Sequence, residues 1–392
     1  MSYRKFKADK LFTGSQLLEG DYVLITNEEG VIDGIVSASE AGDDIQQLNG
    51  ILSPGFINCH CHLELSHMKG KIAEGTGMLG FVSAVMSQRN ASEQEIFASM
   101  HDAETEMLDN GIIAVGDICN NALSLEQKKK GRMYYHNFIE VAGFDPSMAD
   151  QRFDNIKTVF LSFAQQYGLP IESNSVVPHA PYSVSDKLFD LINNFPGNHL
   201  LCMHNQESKA EHDFFSRREG DFLDLYKNIG LDISFFENAN SSSIKKVLKY
   251  FKRNQSLILA HNVTTDKSDI EFIQANEELS IRKNDIHFCL CPNANLYIGN
   301  GLPDIDLLST SGLSLVFGTD SLASNHFLSI LSEIKTIKDN FPQIADASLL
   351  QWATLNGAKA LQMDDILGSF EKGKQPGVVA IKNDFNYIKR LL

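Results

Sequence analysis

The 392-residue sequence is poor in the features that mark several classes of protein. Six cysteines are too few for a disulfide scaffold, and all stand in apolar, strand-like stretches (Cys59, Cys61, Cys119, Cys202, Cys289, Cys291), as buried reduced thiols do. Nowhere do roughly 18 apolar residues run together, so no membrane span is expected. Basic residues are outnumbered, 34 Lys and Arg against 50 Asp and Glu. The resulting net charge of −16 repels phosphate backbones and sets nucleic acid aside as a partner. The opening MSYRKFKADKLFTG has basic residues without an apolar stretch behind them. No secretory signal is therefore expected, and the expected compartment is cytoplasmic. No internal repeat, low-complexity tract or long linker stands out.

What is present is a folded composition. Hydrophobic residues make up 43% and charged residues 21%, which excludes disordered and collagen-like chains. The length allows two or three domains, or one α/β barrel with additions. Short apolar runs bounded by turn residues alternate with helix-period stretches, the pattern of repeated βα units. Parallel strands are expected near Leu52–Asn58, Ile112–Ile118, Met133–Val141, Asn174–His179, Leu200–His204, Leu257–His261, Ile286–Cys291 and Ser314–Thr319. Helices are expected at Ser92–Asp109, Gln151–Tyr167, Ser185–Asn193 and Ile244–Arg253. Such a series closes into a (β/α)₈ TIM barrel. An open doubly wound sheet would carry a Gly-rich fingerprint after its first strand, and none is there. Near the N-terminus, Tyr22–Thr26 and Val31–Val36 alternate between turn signals, and Val378–Ile381 follows a Gly/Lys/Pro-rich turn. A small β-sandwich built from residues 1–50 and 370–392 is expected beside a catalytic barrel at 51–369. Lys128-Lys129-Lys130 reads as a solvated charge run.

The placement of histidines carries the chemistry. His60 and His62 flank Cys61 at the end of the first expected barrel strand, two residues apart and therefore on the same side. His204, His261 and Asp320 close the fifth, sixth and eighth strands. In a TIM barrel those ends face one mouth. Neutral imidazoles with a carboxylate suit Zn²⁺ or Fe²⁺ and leave a position open for water. A structural zinc site on Cys59-His60-Cys61-His62 with Cys289 and Cys291 competes poorly, since Cys59 and Cys61 alternate away from His60 and His62 and the spacing is CxC rather than CxxC. Glu207, three residues past His204, is placed to exchange protons on the same rim. The fourth strand holds no lysine to bridge two metals, which favours a single ion.

In these residues the chain resembles the amidohydrolase superfamily, and within it the one-metal deaminase and chlorohydrolase branch. Pro54-Gly55-Phe56-Ile57-Asn58-Cys59-His60-Cys61-His62 looks like the first-strand metal motif, and His179-Ala180-Pro181-Tyr182-Ser183 like the fourth-strand segment. His204-Asn205-Gln206-Glu207 is similar to its HxxE, and Ala260-His261-Asn262 to its sixth-strand histidine. Cys291-Pro292-Asn293-Ala294-Asn295 resembles CPxSN with Ala294 in place of serine, and Gly318-Thr319-Asp320 opens a GTDxxxSN-like stretch. Thr354–Leu361 and Gly368–Lys374 resemble the return to the β-sandwich, after which Gln375-Pro376-Gly377-Val378-Val379 replaces the usual Ala-Asp-Leu-Val.

The resemblance implies one divalent ion on His60, His62, His204 and Asp320, lowering the pKa of a water towards roughly 7. Asp320 would take that water's proton, Glu207 would protonate a ring nitrogen, and His261 would orient the attacking oxygen. The implied reaction is deamination of a purine-like or nucleoside-like heterocycle. The alternatives are triazine dechlorination or opening of a cyclic amide or imidazolone, and a non-catalytic role that the filled ligand positions oppose. The other zinc deaminases carry a PCxxC that this chain lacks. His179 and Tyr182 are candidate substrate contacts. Leu63-Glu64-Leu65-Ser66-His67 leads into the long segment expected to cover the site, and its wording resembles purine-nucleoside deaminases, including those acting on aminodeoxyfutalosine. The partner is then a small heterocyclic substrate, and assembly into homo-oligomers is implied by the family alone.

Overall fold

Parallel strands covered on both faces read as nearly continuous apolar runs, and those runs form the parallel sheets of the computed structural model, which describes residues 3–165, 173–237, 240–275 and 279–392. The strands are β1 (Phe56–Cys61), β2 (Ile112–Cys119), β3 (Tyr134–Val141), β4 (Asn174–Pro178), β5 (Leu200–Asn205), β6 (Ser256–His261), β7 (Ile286–Leu290) and β8 (Ser314–Phe317). They make two four-stranded parallel sheets, in spatial order β4-β3-β2-β1 and β5-β6-β7-β8. Two sets of bonds join the sheets. The amides of Thr319 and Asp320 each donate to the carbonyl of His60 at 3.0 Å, and the amide of His204 donates to the carbonyl of His179 at 2.9 Å. The chain is thus α/β, with its sheet edges tied where the site residues stand.

Gly318 is what lets β8 approach β1 so closely. A Cβ at that position would lie 2.7 Å from Cys289 Sγ and 2.8 Å from the Cβ of His60. Fully buried aromatic rings, among them Phe56, Phe138, Phe288 and Phe317, fill the interior. Each stabilises the fold by about 1.5–3 kcal/mol. The six cysteines are buried and free, as expected.

Helices start where the sequence places hydroxyl caps. Ser92 accepts from the amide of Glu95 ahead of helix Glu93–Asp109, and Ser185 accepts from Leu188 ahead of Asp186–Asn193. Helix Ala149–Gln165 covers most of the expected 151–167, whose last two residues lie outside the described ones. The expected helix 244–253 is shorter: Ser243–Val247 passes into one 3₁₀ turn, Leu248–Tyr250. Phe251 then turns extended and sinks into the core, drawing the chain towards β6.

Two further expectations need correction. The run 52–58 is not one strand. Pro54 offers no amide to a ladder, and a Cβ on Gly55 would meet the carbonyl of Pro376 at 2.9 Å. The run divides there, and Ile51–Ser53 pairs instead with Lys10–Phe12 and Val379–Ile381. Lys128, read as solvated, is buried. It closes a short helix, and its Nζ lies 2.5 Å from Asp117 Oδ2 and donates to Asn137 Oδ1 at 2.7 Å. An inward-facing carboxylate on β2 requires a counter-charge, and Lys128 supplies it.

Strands from both termini meet. Val379–Ile381, Ile388–Arg390, Ile51–Ser53, Lys10–Phe12 and Leu17–Glu19 form one five-stranded sheet. The hairpin Tyr22–Asn27 and Ile32–Ser37 joins Tyr3–Lys7 and Ile45–Gln47 in another. Phe6, Leu24, Leu52, Phe370 and Val378 share an apolar cluster separate from that of the parallel sheets.

Candidate active site

The ends of four parallel strands deliver the chemical groups. His60 comes from β1 and His62 directly follows it, His204 comes from β5, His261 from β6, and Asp320 follows β8. All five are buried. The Nε2 of His62 lies 3.3 Å from that of His60, 3.2 Å from that of His204 and 3.2 Å from Asp320 Oδ1. His60 Nε2 is 3.5 Å from the same oxygen. Donors held roughly 2.0–2.1 Å from one ion at tetrahedral angles stand about 3.3 Å apart, so these side chains fit a single divalent cation. Donor atoms of His60, His204, His261 and Asp320 also fall within 4.8 Å of one another, which puts His261 in reach of the same centre.

This convergence strains the backbone. Gln206, His261, Asn262 and Asp320 all adopt positive φ, at 47°, 78°, 59° and 56°. Each such residue costs about 1–3 kcal/mol and persists only where its surroundings impose it.

Hydrogen bonds set the ring orientations. Nδ1 of His204 donates to the carbonyl of His179 at 2.9 Å, which leaves Nε2 free to ligate. Nδ1 of His261 donates to Asn295 Oδ1 at 2.9 Å. Its Nε2 has no hydrogen-bond partner among the described residues and stands 3.7 Å from Glu207 Oε1. Ser324 donates to the second oxygen of Asp320. Burial lowers His60 to about 4 and His204 well below its ordinary value, so both are neutral at pH 7, the form that ligates. Burial also opposes charge on His62 and Asp320, but there the pairing prevails. Asp320 raises His62 to about 9, and its bonds from His60 and His62 hold Asp320 well below the carboxylate range.

Glu207 sits beside this cluster, buried, with its pKa raised by burial and Oε2 unpartnered among the described residues. Its aim is set from behind. Ser208 caps helix Lys209–Arg217 by accepting from the amide of Glu211, the spacing of a capping box. The Glu211 carboxylate then reaches further back than a capping box requires. Oε1 accepts from the amide of Gln206 at 3.0 Å and from Ser243 Oγ at 2.5 Å, while Oε2 accepts from the amide of Glu207 at 3.0 Å. Burial, ahead of these bonds, raises Glu211 to about 7.

His179 is half-buried, its ring centre 4.8 Å from that of His204 and its Nδ1 2.6 Å from Ser183 Oγ. Tyr182 is buried against Phe222, 4.3 Å between ring centres, within an aromatic cluster that includes Phe144, Phe214 and Tyr226. Its hydroxyl has no partner among the described residues. Glu64 lies in the 3₁₀ turn Leu63–Met68, and burial raises it to about 7. Its Oε2 accepts from the amide of Asn120, whose side chain donates to Glu140 at 2.8 Å. Glu140 in turn stands 3.6 Å from His204 Nδ1. Asn295, Ser324, Glu211 and Glu140 escaped the sequence reading. The first two stand inside the CPxSN-like and GTDxxxSN-like stretches, and Glu211 stands one helical turn past Glu207.

Comparisons with known proteins bear on the family and the fold. The family model described as Amidohydrolase family matches residues 51–391. An adenosine deaminase of Helicobacter pylori is 26% identical over 338 residues, 83% of this chain and 78% of that one. A crystal structure of Helicobacter pylori aminofutalosine deaminase with methylthio-coformycin has a TM-score of 0.79 at 22% identity, covering 97% of this chain and 92% of that one. An adenosine deaminase from Xanthomonas campestris with bound zinc has a TM-score of 0.69 at 20% identity, covering 96% and 84%.

Proposed function

The chain belongs to the amidohydrolase family, and from that premise we propose that it is a metal-dependent aminohydrolase that deaminates a purine-like or nucleoside-like heterocycle. The observation that carries the reading is the tetrahedral spacing of three imidazoles and a carboxylate beside a buried, partnerless Glu207 oxygen. In the same proposal the eight parallel strands close as a (β/α)₈ barrel. Residues 1–50 and 370–392 form a β-sandwich beside it, sharing the strand Ile51–Ser53.

His60, His62, His204 and Asp320 would hold the ion, for which the nitrogen-rich donor set favours Zn²⁺ over Fe²⁺. When bound, such an ion acidifies a water so that a nucleophile is available at neutral pH. The chain's own groups do the rest. Asp320 accepts the proton released by the attacking water. Glu207, whose pKa burial raises, donates to the ring nitrogen beside the amino-bearing carbon and makes that carbon electrophilic. His261, whose Nδ1–H is donated to Asn295, turns Nε2 to the incoming oxygen, accepts a hydrogen bond from it and orients it. The new C–O bond replaces the C–N bond, and the amine leaves as ammonia with one of the relayed protons. In the same reading His179 and Tyr182 contact the substrate.

The test is ammonia release by metal-loaded protein across adenine nucleosides, aminopurines and aminated pyrimidines and triazines. Turnover of at least one, lost on chelation, is the expected result. Silence across the panel with a full equivalent of metal bound would refute deamination and turn the reading to triazine dechlorination or cyclic-amide opening.

A further inference from the structure

Helix Ile330–Asn340 carries a fully buried carboxyl group, Glu333, that has no task in the chemistry above. A group so placed has to be matched by donors, and the donors come from two loops that bear proposed chemical groups. One loop leaves β7. Pro292 opens helix Pro292–Ile298 there, and Cys291 before it provides no side-chain cap. The first amides of a helix have no carbonyl within the helix to bond. The amide of Asn293 donates instead to Glu333 Oε2 at 2.9 Å. Two more bonds fasten Asn293 to the same helix: its Nδ2 donates to Ser332 Oγ at 3.0 Å, and its Oδ1 accepts from Thr336 Oγ1 at 2.5 Å. Asn295, two residues on, holds Nδ1 of His261.

The other loop leaves β8. Asn325 Nδ2 donates to Glu333 Oε1 at 2.8 Å and to the carbonyl of Thr319 at 2.9 Å. That carbonyl belongs to the peptide joining Thr319 to Asp320, whose φ of 56° persists only while its surroundings impose it. One carboxyl group therefore grips both the loop that sets His261 and the loop that sets Asp320. We infer that Glu333 is a positioning residue that fixes the placement of Asp320 relative to His261, the two groups assigned to the attacking oxygen. The inference rests on the deaminase reading and extends it to how the nucleophile is aimed. A carboxyl group keeps acceptor capacity on both oxygens in either protonation state. A carboxamide turns an NH₂ towards one of the two donors and lets that loop go. A displacement near 1 Å costs about 10² in rate.

The experiment measures kcat for ammonia release at saturating Zn²⁺ for the full-length protein and Glu333→Gln, each with His261 intact and with His261→Asn. With His261 intact, Glu333→Gln should lower kcat about 100-fold and leave KM within about threefold. With His261→Asn the loss should shrink to less than about tenfold, because residues that act through one another are not additive. An equal loss in both backgrounds overturns the proposal and leaves Glu333 a general structural group; no loss in either overturns it too. Should Glu333→Gln fail to fold, Asn325→Ala, which opens only the Asp320 side, is held to the same comparison. If the wild type releases ammonia from no compound, the deaminase reading fails by itself, and the Kd for Zn²⁺ decides. A rise of about tenfold or more in Glu333→Gln upholds the positioning of Asp320, and an unchanged Kd overturns it.

Discussion

Replacing Glu211 with Gln tests whether a residue outside the ion site aims the proposed acid. The Glu211 carboxylate holds the amides of Gln206 and Glu207, one on each oxygen. A carboxamide keeps one acceptor and turns an NH₂ towards the other amide. One buried amide is then unpaired, at a cost of about 1–3 kcal/mol. The elbow can relieve this by releasing Gln206 from its left-handed conformation, φ 47°, which itself stores about 1–3 kcal/mol. The two terms are comparable, so the variant populates geometries in which Glu207 no longer points at the reacting nitrogen. A displacement near 1 Å costs about 10² in rate. We therefore expect kcat for ammonia release to fall about 100-fold while KM and metal content stay within about threefold. The melting temperature should fall by only a few degrees, too little to unfold the sample at the assay temperature. Glu211→Asp, which keeps both acceptors, should recover part of the loss. Unchanged kcat in a protein with a lowered melting temperature would refute the reasoning and leave Glu211 a purely structural carboxylate.

Other outcomes follow from the same structure. Chelation should abolish ammonia release and lower the melting temperature, and added Zn²⁺ should restore both; a melting curve indifferent to metal would count against an ion at His60, His62, His204 and Asp320. Lys128→Met leaves Asp117 charged and alone in the interior, and should cost about 3–5 kcal/mol in urea unfolding. Adding Asp117→Asn to it should return a large part of that loss, because the carboxamide still accepts from the amide of Leu63. Gly318→Ala sets a methyl 2.7 Å from Cys289 Sγ and 2.8 Å from His60 Cβ. It should cost about 1–3 kcal/mol and weaken metal retention, measured as bound metal after dialysis. Burial raises Glu333 from 4.5 to about 8. The folded state therefore holds an extra proton between those values, and this group's contribution to stability declines as pH rises through the window. In Glu333→Gln that decline should be missing, so stability relative to wild type should improve between pH 5 and 8, by roughly 1 kcal/mol per unit across the upper part of the window. Equal slopes in parallel urea titrations would contradict the shift.

What the sequence made legible depended on how local each signal was. Strand alternation alone puts His60 and His62 on one side, and an apolar run ending in His or Asp locates β5, β6 and β8 with their chemical groups at the ends. Those inferences need only a few consecutive residues. The break at Pro54-Gly55 was equally local, yet β1 was read through it, because Leu52 continues the apolar pattern while belonging to another sheet. Lys128 was misread for the opposite reason. Three consecutive lysines describe a surface only if all face outward, and the first is turned inward by Asp117, eleven positions away on the neighbouring strand. Glu211 follows a capping-box spacing that is visible in the sequence, but its carboxylate passes the usual target to hold Gln206 and Glu207. The backbone strain that requires this is created by β5 and β6 meeting, a long-range event. The legible part of the site is therefore the set of groups proposed to touch the ion or substrate, whose chemistry restricts residue type. The illegible part is the shell that positions them, where an amide, a carboxylate or a hydroxyl serves equally well. Variants in that shell are consequently where this site's energetics remain to be measured, and the Glu211 and Lys128 substitutions separate aim from stability within it.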